Sequence, residues 1–398
     1  MTAIVETPET ARLLDELTTP IGRDDPYPRY DRLREISRLI RAEDGALVVT
    51  GYDECQTVVR DSRLGHFPTD MLGLAGLADW ADHPGTYMLF TSLVTLNPPD
   101  HTRLRRLVSS AFTARRVAAL RPSIERMVDD LLADLAGAGD FIDRFAFPLP
   151  VNVIGELLGI PAADRAQFQS LIRDWSQVLE TVEPSALEKA DPAAATLRDY
   201  LTGLVAERRK DPRDDLISAL VAVEADGDRL TEDELLTMVA FLFAAGFETT
   251  TNLLANGLVA LLANPGATIA DPGLAAEELL RWDSPVQLVS RVVYEPVEMA
   301  GLTIEPGERV VAYLGAGNRD AARFDHPNTL DLRRTDNSPL SFGGGIHYCV
   351  GAPLARLEAQ IAFPALRSAY PNLALTAEPT RRNSLTLRGY TEMPVATN

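Results

Sequence analysis

The 398-residue sequence predicts a mainly α-helical chain with small β-sheets, organised as one domain over residues 1–398. Two observations predict the class. Apolar residues recur three and four apart through most of the chain, whereas strand-like segments are few and short. A third bears on the domain count: Pro and Gly fall every few tens of residues without gathering into a linker, and no internal repeat is present.

In chain order, YPRYDRLREISRLIRA at 27–42 predicts a helix and GALVVT at 45–50 a strand. RVAALRPSIERMVDDLLADLAG from 116 and TLRDYLTGLVAERRK from 196 predict further helices. The longest element opens at Thr231 and Glu234, a capping-box pair, and runs to NPG at 264–266, broken in composition only by Gly246 and Gly257. Roughly 33 residues at about 1.5 Å each give a rod of about 50 Å. It is apolar on nearly every face, as a central buried helix or a membrane span would be. Glu248 in mid-run would cost about 2.5–3.5 kcal/mol at a bilayer centre, so a core helix is expected and no membrane. GLAAEELLRW from 273 predicts another helix, and the segments at 289–301 and 308–315 predict strands.

A net charge of -19 excludes a nucleic-acid binder, which needs an excess of basic groups. Glu6, Glu9, Arg12, Asp15 and Glu16 leave no apolar leader in the first 16 residues, so the expected location is cytoplasmic. The two cysteines, Cys55 and Cys349, are far apart, and no disulfide framework is expected. Cys55 reads as an ordinary half-buried residue.

Cys349 lies in FGGGIHYCVG, residues 342–351, just before a predicted helix in which Pro353 occupies the first turn. Four glycines remove side chains where backbone must approach something closely, and a helix N-terminus stabilises a thiolate. From these residues alone a metal-bound thiolate, a nucleophile and an inert buried thiol all stay open. Zinc lacks further ligands beyond His347, and a cysteine hydrolase lacks an identifiable third group to orient its base. A second segment, AAGFETTTN at 244–252, puts Glu248 and Thr249 in the middle of the long helix, where a purely structural helix would carry Leu or Ala. A local kink with threonines bonding back to carbonyls is the plainer account; a place where protons and a small ligand meet is the functional one. Glu278 and Arg281 are three apart and can pair on one helical face. From His101 to Arg121 there are six arginines (Arg103, Arg105, Arg106, Arg115, Arg116 and Arg121) and no acid, either a solvated face or a surface for an acidic partner.

Together these segments resemble the cytochrome P-450 family of haem-thiolate monooxygenases, in order along the chain. The family's cysteine-loop pattern F-G-x-G-x-H-x-C-x-G is met at Phe342, Gly343, Gly345, His347, Cys349 and Gly351. Its A-G-x-D/E-T-T is met by Ala245, Gly246, Glu248, Thr249 and Thr250, and its E-x-x-R by Glu278 and Arg281. The arginine that completes that triad corresponds to Arg334, with Arg333 as the neighbouring alternative and Leu330 replacing the family's phenylalanine. H-T-x-x-R is met at His101, Thr102 and Arg105, and a later propionate-binding arginine corresponds to Arg291.

The resemblance implies a P-450 fold whose long central helix crosses haem b, with Cys349 as the iron ligand. His101, Arg105, Arg291 and His347 would neutralise the propionates, and Phe342, Gly343, Gly351 and Ala245 would complete the cofactor site. On the distal side it implies Thr249 as hydrogen-bond donor to dioxygen and Glu248 as a proton relay. Without a flavin or iron–sulfur signature, electrons are expected from a ferredoxin and its NAD(P)H-dependent reductase, the arginines after His101 suiting an acidic ferredoxin; the chain itself is expected to be monomeric.

The positions that line the family's substrate pocket correspond here to Phe241, Ala244 and Ala245 on the long helix, Val286, Gln287, Leu288 and Val289, and Leu387. Residues 65–95 read as a mobile roof. Small apolar residues suit a large neutral molecule, and hydroxylation or epoxidation of a polyketide macrolactone is expected. The alternatives are hydroxylation of a terpenoid or steroid, or of a carrier-bound or peptide substrate. From other classes, a peroxide-driven haem enzyme would lack the Glu248–Thr249 pair, and a haem-based gas sensor would not need it.

Overall fold

The structure, a computed structural model, describes residues 4–5, 7–179, 182–223 and 227–397. They form two compact units. One comprises residues up to His66, 128–146 and 249 onward; the other comprises 67–127 and 147–248.

The first unit is built on a six-stranded mixed sheet. Its spatial order is Ile4–Val5, Leu39–Arg41, Leu47–Val49, Arg309–Tyr313, Leu288–Val293 and Leu64–Gly65. Strand alternation sorts its side chains: Leu47 and Val49 enter one core with Cys55, Val310 and Leu340, whereas Val48 enters another with Leu17, Tyr27, Tyr30 and Tyr313. The helix expected over 27–42 therefore stops at Ile36, and Leu39–Arg41 is a strand. Leu39 and Ile40 join opposite cores, which two adjacent residues do on a strand and not on a helix. Likewise the stretch from 116 is divided between two helices, Ala114–Ala119 and Arg121–Leu135. Cys55 is fully buried, not half-buried, its thiol directed to the carbonyls of Val49 at 3.6 Å and Tyr313 at 3.5 Å.

The helix Pro272–Trp282 carries the centre of this unit's polar architecture. Glu278 is fully buried and accepts from Arg281 (Nε and Nη2, both 2.8 Å), Arg334 Nε (3.1 Å), Asn337 Nδ2 (3.0 Å) and the Asp331 amide (2.8 Å). Arg281 in turn donates to the carbonyls of Asn318 and Pro327. Arg333 is directed elsewhere, to Thr268 Oγ1 at 3.3 Å. A buried carboxylate is stable only when its lone pairs are met in this way, and here four residues meet them.

The second unit is helical among its described residues. Its main elements are Asp100–Ala111, Pro148–Leu158, Phe168–Trp175, Pro184–Lys210 and Leu216–Ala222, with the first part of the long helix Glu232–Ala263. The long helix starts at the predicted capping box: Glu234 N donates to Thr231 Oγ1 and Thr231 N to Glu234 Oε2. It is continuous through Gly246. The glycine is needed for packing: a Cβ there would lie 2.8 Å from Ile154 Cγ1. Phe147, Phe168, Phe243 and Phe247 meet edge-on around it, with ring centroids 5.1–5.5 Å apart. The long helix is apolar and long enough to cross a membrane, yet most of it is buried in the protein.

In the same unit His83 starts the short helix Pro84–Phe90 and reaches Asp191 on Pro184–Lys210 (Nδ1 to Oδ2, 2.7 Å), with Asp79 at 3.5 Å from Nε2. The hydrogen bond to Asp191 holds the imidazole pKa above its ordinary value. A raised histidine pKa stabilises the fold fully below the unfolded-state value of about 6.5, and that contribution fades as pH rises through the folded-state value. Thermal unfolding of H83Q against the parent should therefore show a deficit at about pH 5.5 that shrinks toward about pH 8.5; a deficit independent of pH would refute the linkage.

Candidate functional site

The cysteine loop leaves a short turn at Leu340–Phe342 and ends at the helix Ala352–Ala369. A backbone bond ties its two arms, the Cys349 amide donating to the Phe342 carbonyl at 3.0 Å. Its glycines divide by what surrounds them. A Cβ at Gly345 would sit 2.8 Å from the Val59 carbonyl oxygen, and one at Gly344 would sit 2.8 Å from Arg60 Cγ. The loop is thus pressed against the helix Tyr52–Arg60. Gly345 also has φ +59°, a region that favours glycine. By contrast a Cβ at Gly343 would meet nothing within 4 Å, and one at Gly351 only the Cys349 sulfur at 3.9 Å. The loop is therefore tight on one side and open on the other, and Cys349 is exposed at the open side.

Among the described residues no group of three or more His, Cys, Asp or Glu side chains could hold a metal ion. A haem, whose macrocycle supplies most of the iron's ligands, would need only one such side chain from the protein. Arg291 fits the same group. Its side chain is buried on the strand Leu288–Val293 and donates from Nη1 to the Ser290 carbonyl at 2.8 Å, and burial pushes its pKa down to about 10. No ion pair compensates this buried cation among the described residues, so an anionic group there would relieve a real cost. His347 packs edge-on to His66, with ring centroids 4.7 Å apart.

In the second unit His101 is buried on Asp100–Ala111, and burial with the nearby charge of Arg105 pushes its pKa down to about 4. Both effects favour a neutral ring that can donate to an anion. Along the long helix, Phe241, Ala245, Glu248 and Thr249 are partly accessible while Leu242, Phe243 and Phe247 are buried. Their spacing makes one accessible stripe on an otherwise buried rod. Ala244, expected on that wall, is buried at 1% exposure and lies off the stripe.

Two other expected pocket residues point elsewhere. Gln287 is buried in a polar cluster, its Oε1 accepting from Tyr30 (3.2 Å) and its Nε2 donating to the Ser284 carbonyl (2.7 Å). Leu288 packs against the core that contains Tyr30 and Tyr313. Val286 and Val289 are partly buried against the other core, and Val286 bridges to Leu387. Of the arginines after His101, Arg103 pairs with Glu234, Arg116 with Asp214 (3.7 Å) and Arg121 with Glu125 (3.4 Å); Arg106, Arg115 and Arg121 are all well exposed. Motif reading missed Arg356 and Glu277, an ion pair beside Phe342 and Tyr348.

Since Gly345 has both a positive φ and no room for a Cβ, G345A should lower stability by roughly 1–3 kcal/mol. G351A, at φ −81° with only the Cys349 sulfur within 4 Å, should cost less. Thermal unfolding of the two variants checks the order; equal losses would show that neither the positive φ nor the contact with Val59 and Arg60 is the constraint.

Comparison with known proteins gives the family. The cytochrome P450 family model matches residues 75–269 and 275–370. Cytochrome P450 107B1 of Saccharopolyspora erythraea is 43% identical over 93% of this chain and 95% of its own length. Vitamin D(3) 25-hydroxylase of Pseudonocardia autotrophica is 41% identical, covering 93% of each chain. The 6-deoxyerythronolide B hydroxylase of S. erythraea is 37% identical over 93% of this chain and 96% of its own. Among solved structures, P450BioI in complex with a hexadec-9Z-enoic acid-ligated acyl carrier protein superposes with a TM-score of 0.85 at 34% identity, over 95% of this chain and 100% of that one. With its fold, its cysteine loop and these relatives in agreement, the chain belongs to the cytochrome P450 family and is a haem b-dependent monooxygenase.

Proposed function

We propose that this monooxygenase hydroxylates or epoxidises a polyketide macrolactone in antibiotic biosynthesis, in the cytoplasm, with Cys349 as the haem ligand. The observation that carries the site assignment is the exposed sulfur at the open side of a glycine loop that is closed on its other side by Val59 and Arg60. Haem held by a cysteine thiolate supplies dioxygen activation, the ligand pushing electron density toward iron and favouring O–O cleavage.

The residues have the following roles in this reading. Cys349 lies just before the helix Ala352–Ala369, whose N-terminal dipole favours the thiolate. Arg291, His347, His101 and Arg105 would hold the propionates. Phe342, Gly343 and Gly351 shape the proximal loop, and Ala245 leaves room beside the macrocycle. Glu248 carries protons in from solvent along the accessible stripe, and Thr249 orients dioxygen by donating a hydrogen bond. Electrons come from a ferredoxin and its NAD(P)H-dependent reductase, with Arg106 and Arg115 offering an exposed cationic surface.

Phe241 and Ala245 on the stripe, with Val286, Val289 and Leu387, suit a large apolar substrate. The name of the 6-deoxyerythronolide B hydroxylase supports a macrolactone. Two alternatives draw on specific relatives, a steroid-like substrate on the vitamin D(3) hydroxylase and a carrier-bound one on the acyl carrier protein complex.

Titration of the holoprotein with macrolactones, secosteroids and acyl-carrier conjugates, read by the haem absorption spectrum, tests the substrate class. A low-to-high-spin shift confined to macrolactones is expected; a shift with another class alone overturns that choice. In turnover with a surrogate ferredoxin system, T249A should bind substrate with unchanged affinity but form at least roughly tenfold less product per NAD(P)H oxidised, given the 10²–10⁴ scale of positioned proton transfer. Unchanged coupling would remove Thr249 from the proton path.

A further inference from the structure

Arg356 lies in the second turn of the helix Ala352–Ala369 and reaches back to both ends of the cysteine loop. Its Nη1 donates to the Tyr348 hydroxyl at 2.9 Å, and its guanidinium carbon lies 4.4 Å from the centre of the Phe342 ring. Phe342 and Tyr348 face each other edge-on, with ring centroids 6.4 Å apart. Phe342 is the residue whose carbonyl receives the Cys349 amide, and Tyr348 immediately precedes Cys349.

The guanidinium is itself held by Glu277 on the helix Pro272–Trp282. Its Nε and Nη2 both donate to that carboxylate, the second at 3.1 Å to Oε2. Burial opposes the charge of Arg356, but the bonds to Glu277 and Tyr348 outweigh it and keep its pKa above the ordinary value. Glu277 adjoins the fully buried Glu278, whose partners Arg281, Arg334, Asn337 and Asp331 fix this helix in its unit. The chain of contacts runs from a rigid helix through one planar cation to the two aromatic residues that bracket the loop.

We propose that Arg356 is a positioning residue for the thiolate: anchored by Glu277, it holds Phe342 and Tyr348 and so sets the direction in which the Cys349 sulfur is presented to the haem iron. It acts through those two residues. The role uses all of the guanidinium's geometry, because two edges make hydrogen bonds while the face lies on a ring. Lysine could keep the charge and one bond to Glu277 but could not satisfy the other contacts together. This inference rests on the reading of Cys349 as the iron ligand.

The experiment compares the holoprotein with its R356Q, R356K and Y348F variants. The readouts are the carbon monoxide difference spectrum of the reduced protein and the haem reduction potential, with thermal unfolding as a control. The parent should give the band of a thiolate-ligated haem. R356Q should raise the fraction lacking that band roughly tenfold, the scale of one charge-assisted hydrogen bond, and move the potential of the fraction that keeps it. R356K should resemble R356Q despite its charge, and Y348F should move both readouts in the same direction by less. If the haem-loaded variants keep the parent's band and potential and lose only thermal stability, Arg356 is a tie between two helices and the proposal is overturned. Should R356Q fail to take up haem, R356K and Y348F decide by the same readouts. A parent without the thiolate band would instead overturn the assignment of Cys349.

Discussion

A sulfur that is to bind a metal must stay uncovered by its own chain, so the loop that carries it cannot be immobilised by packing around the sulfur itself. The supports have to stand to one side. In this structure they are the helix Tyr52–Arg60, pressed so closely on Gly344 and Gly345 that no Cβ fits, the backbone bond from Cys349 to Phe342, and the side chain of Arg356. Gly343 and Gly351 do the opposite job, leaving open the side to which the sulfur is exposed. Four glycines in ten residues therefore answer two different requirements, close approach to protein and room for something else.

The same constraint explains why so much charge is buried behind the loop. A salt bridge in the interior contributes little net stability, because desolvation offsets most of its attraction. What a satisfied buried network does provide is a single arrangement, since breaking any one bond leaves a charge uncompensated. Glu278 collects bonds from several separate positions in sequence, and Glu277 next to it faces Arg356. One helix thus fixes the 331–337 segment with one carboxylate and the cysteine loop with the next. Asp283, immediately after that helix, repeats the device with Arg388 and Tyr27.

How far this could be read from the sequence depends on whether the information is local. Cys349, His347 and the glycines share ten residues, and Glu248 with Thr249 stands out because an acid and a hydroxyl interrupt a long apolar run. Glu278 and Arg281 were visible as a helical pair, and the ordered pattern supplied Arg334. Contacts distant in sequence were less legible. Nothing around Gln287 announces that Tyr30 lies over it, and nothing local to Arg103 announces that Glu234 pairs with it. Arg356 was hidden for the same reason, its partners being 79 residues upstream in Glu277 and across a loop in Phe342. Periodicity also failed where both periods fit: Leu33, Ile36 and Ile40 have helical spacing, but Leu39 and Ile40 enter two separate cores, as alternating side chains of a strand do.

The long helix shows how burial can separate structural polarity from functional polarity. Asn256, buried in its later turns, donates to the carbonyls of Asp283 and Arg388 and so has an evident structural purpose. Glu248 and Thr249 occupy a different kind of position, on the accessible stripe that also includes Phe241 and Ala245. An acid on that stripe avoids most of the desolvation cost that would fall on it one position earlier, where Phe247 is buried at 1% exposure. The proton relay proposed for Glu248 would use this combination of a partly accessible side chain and a continuous helix.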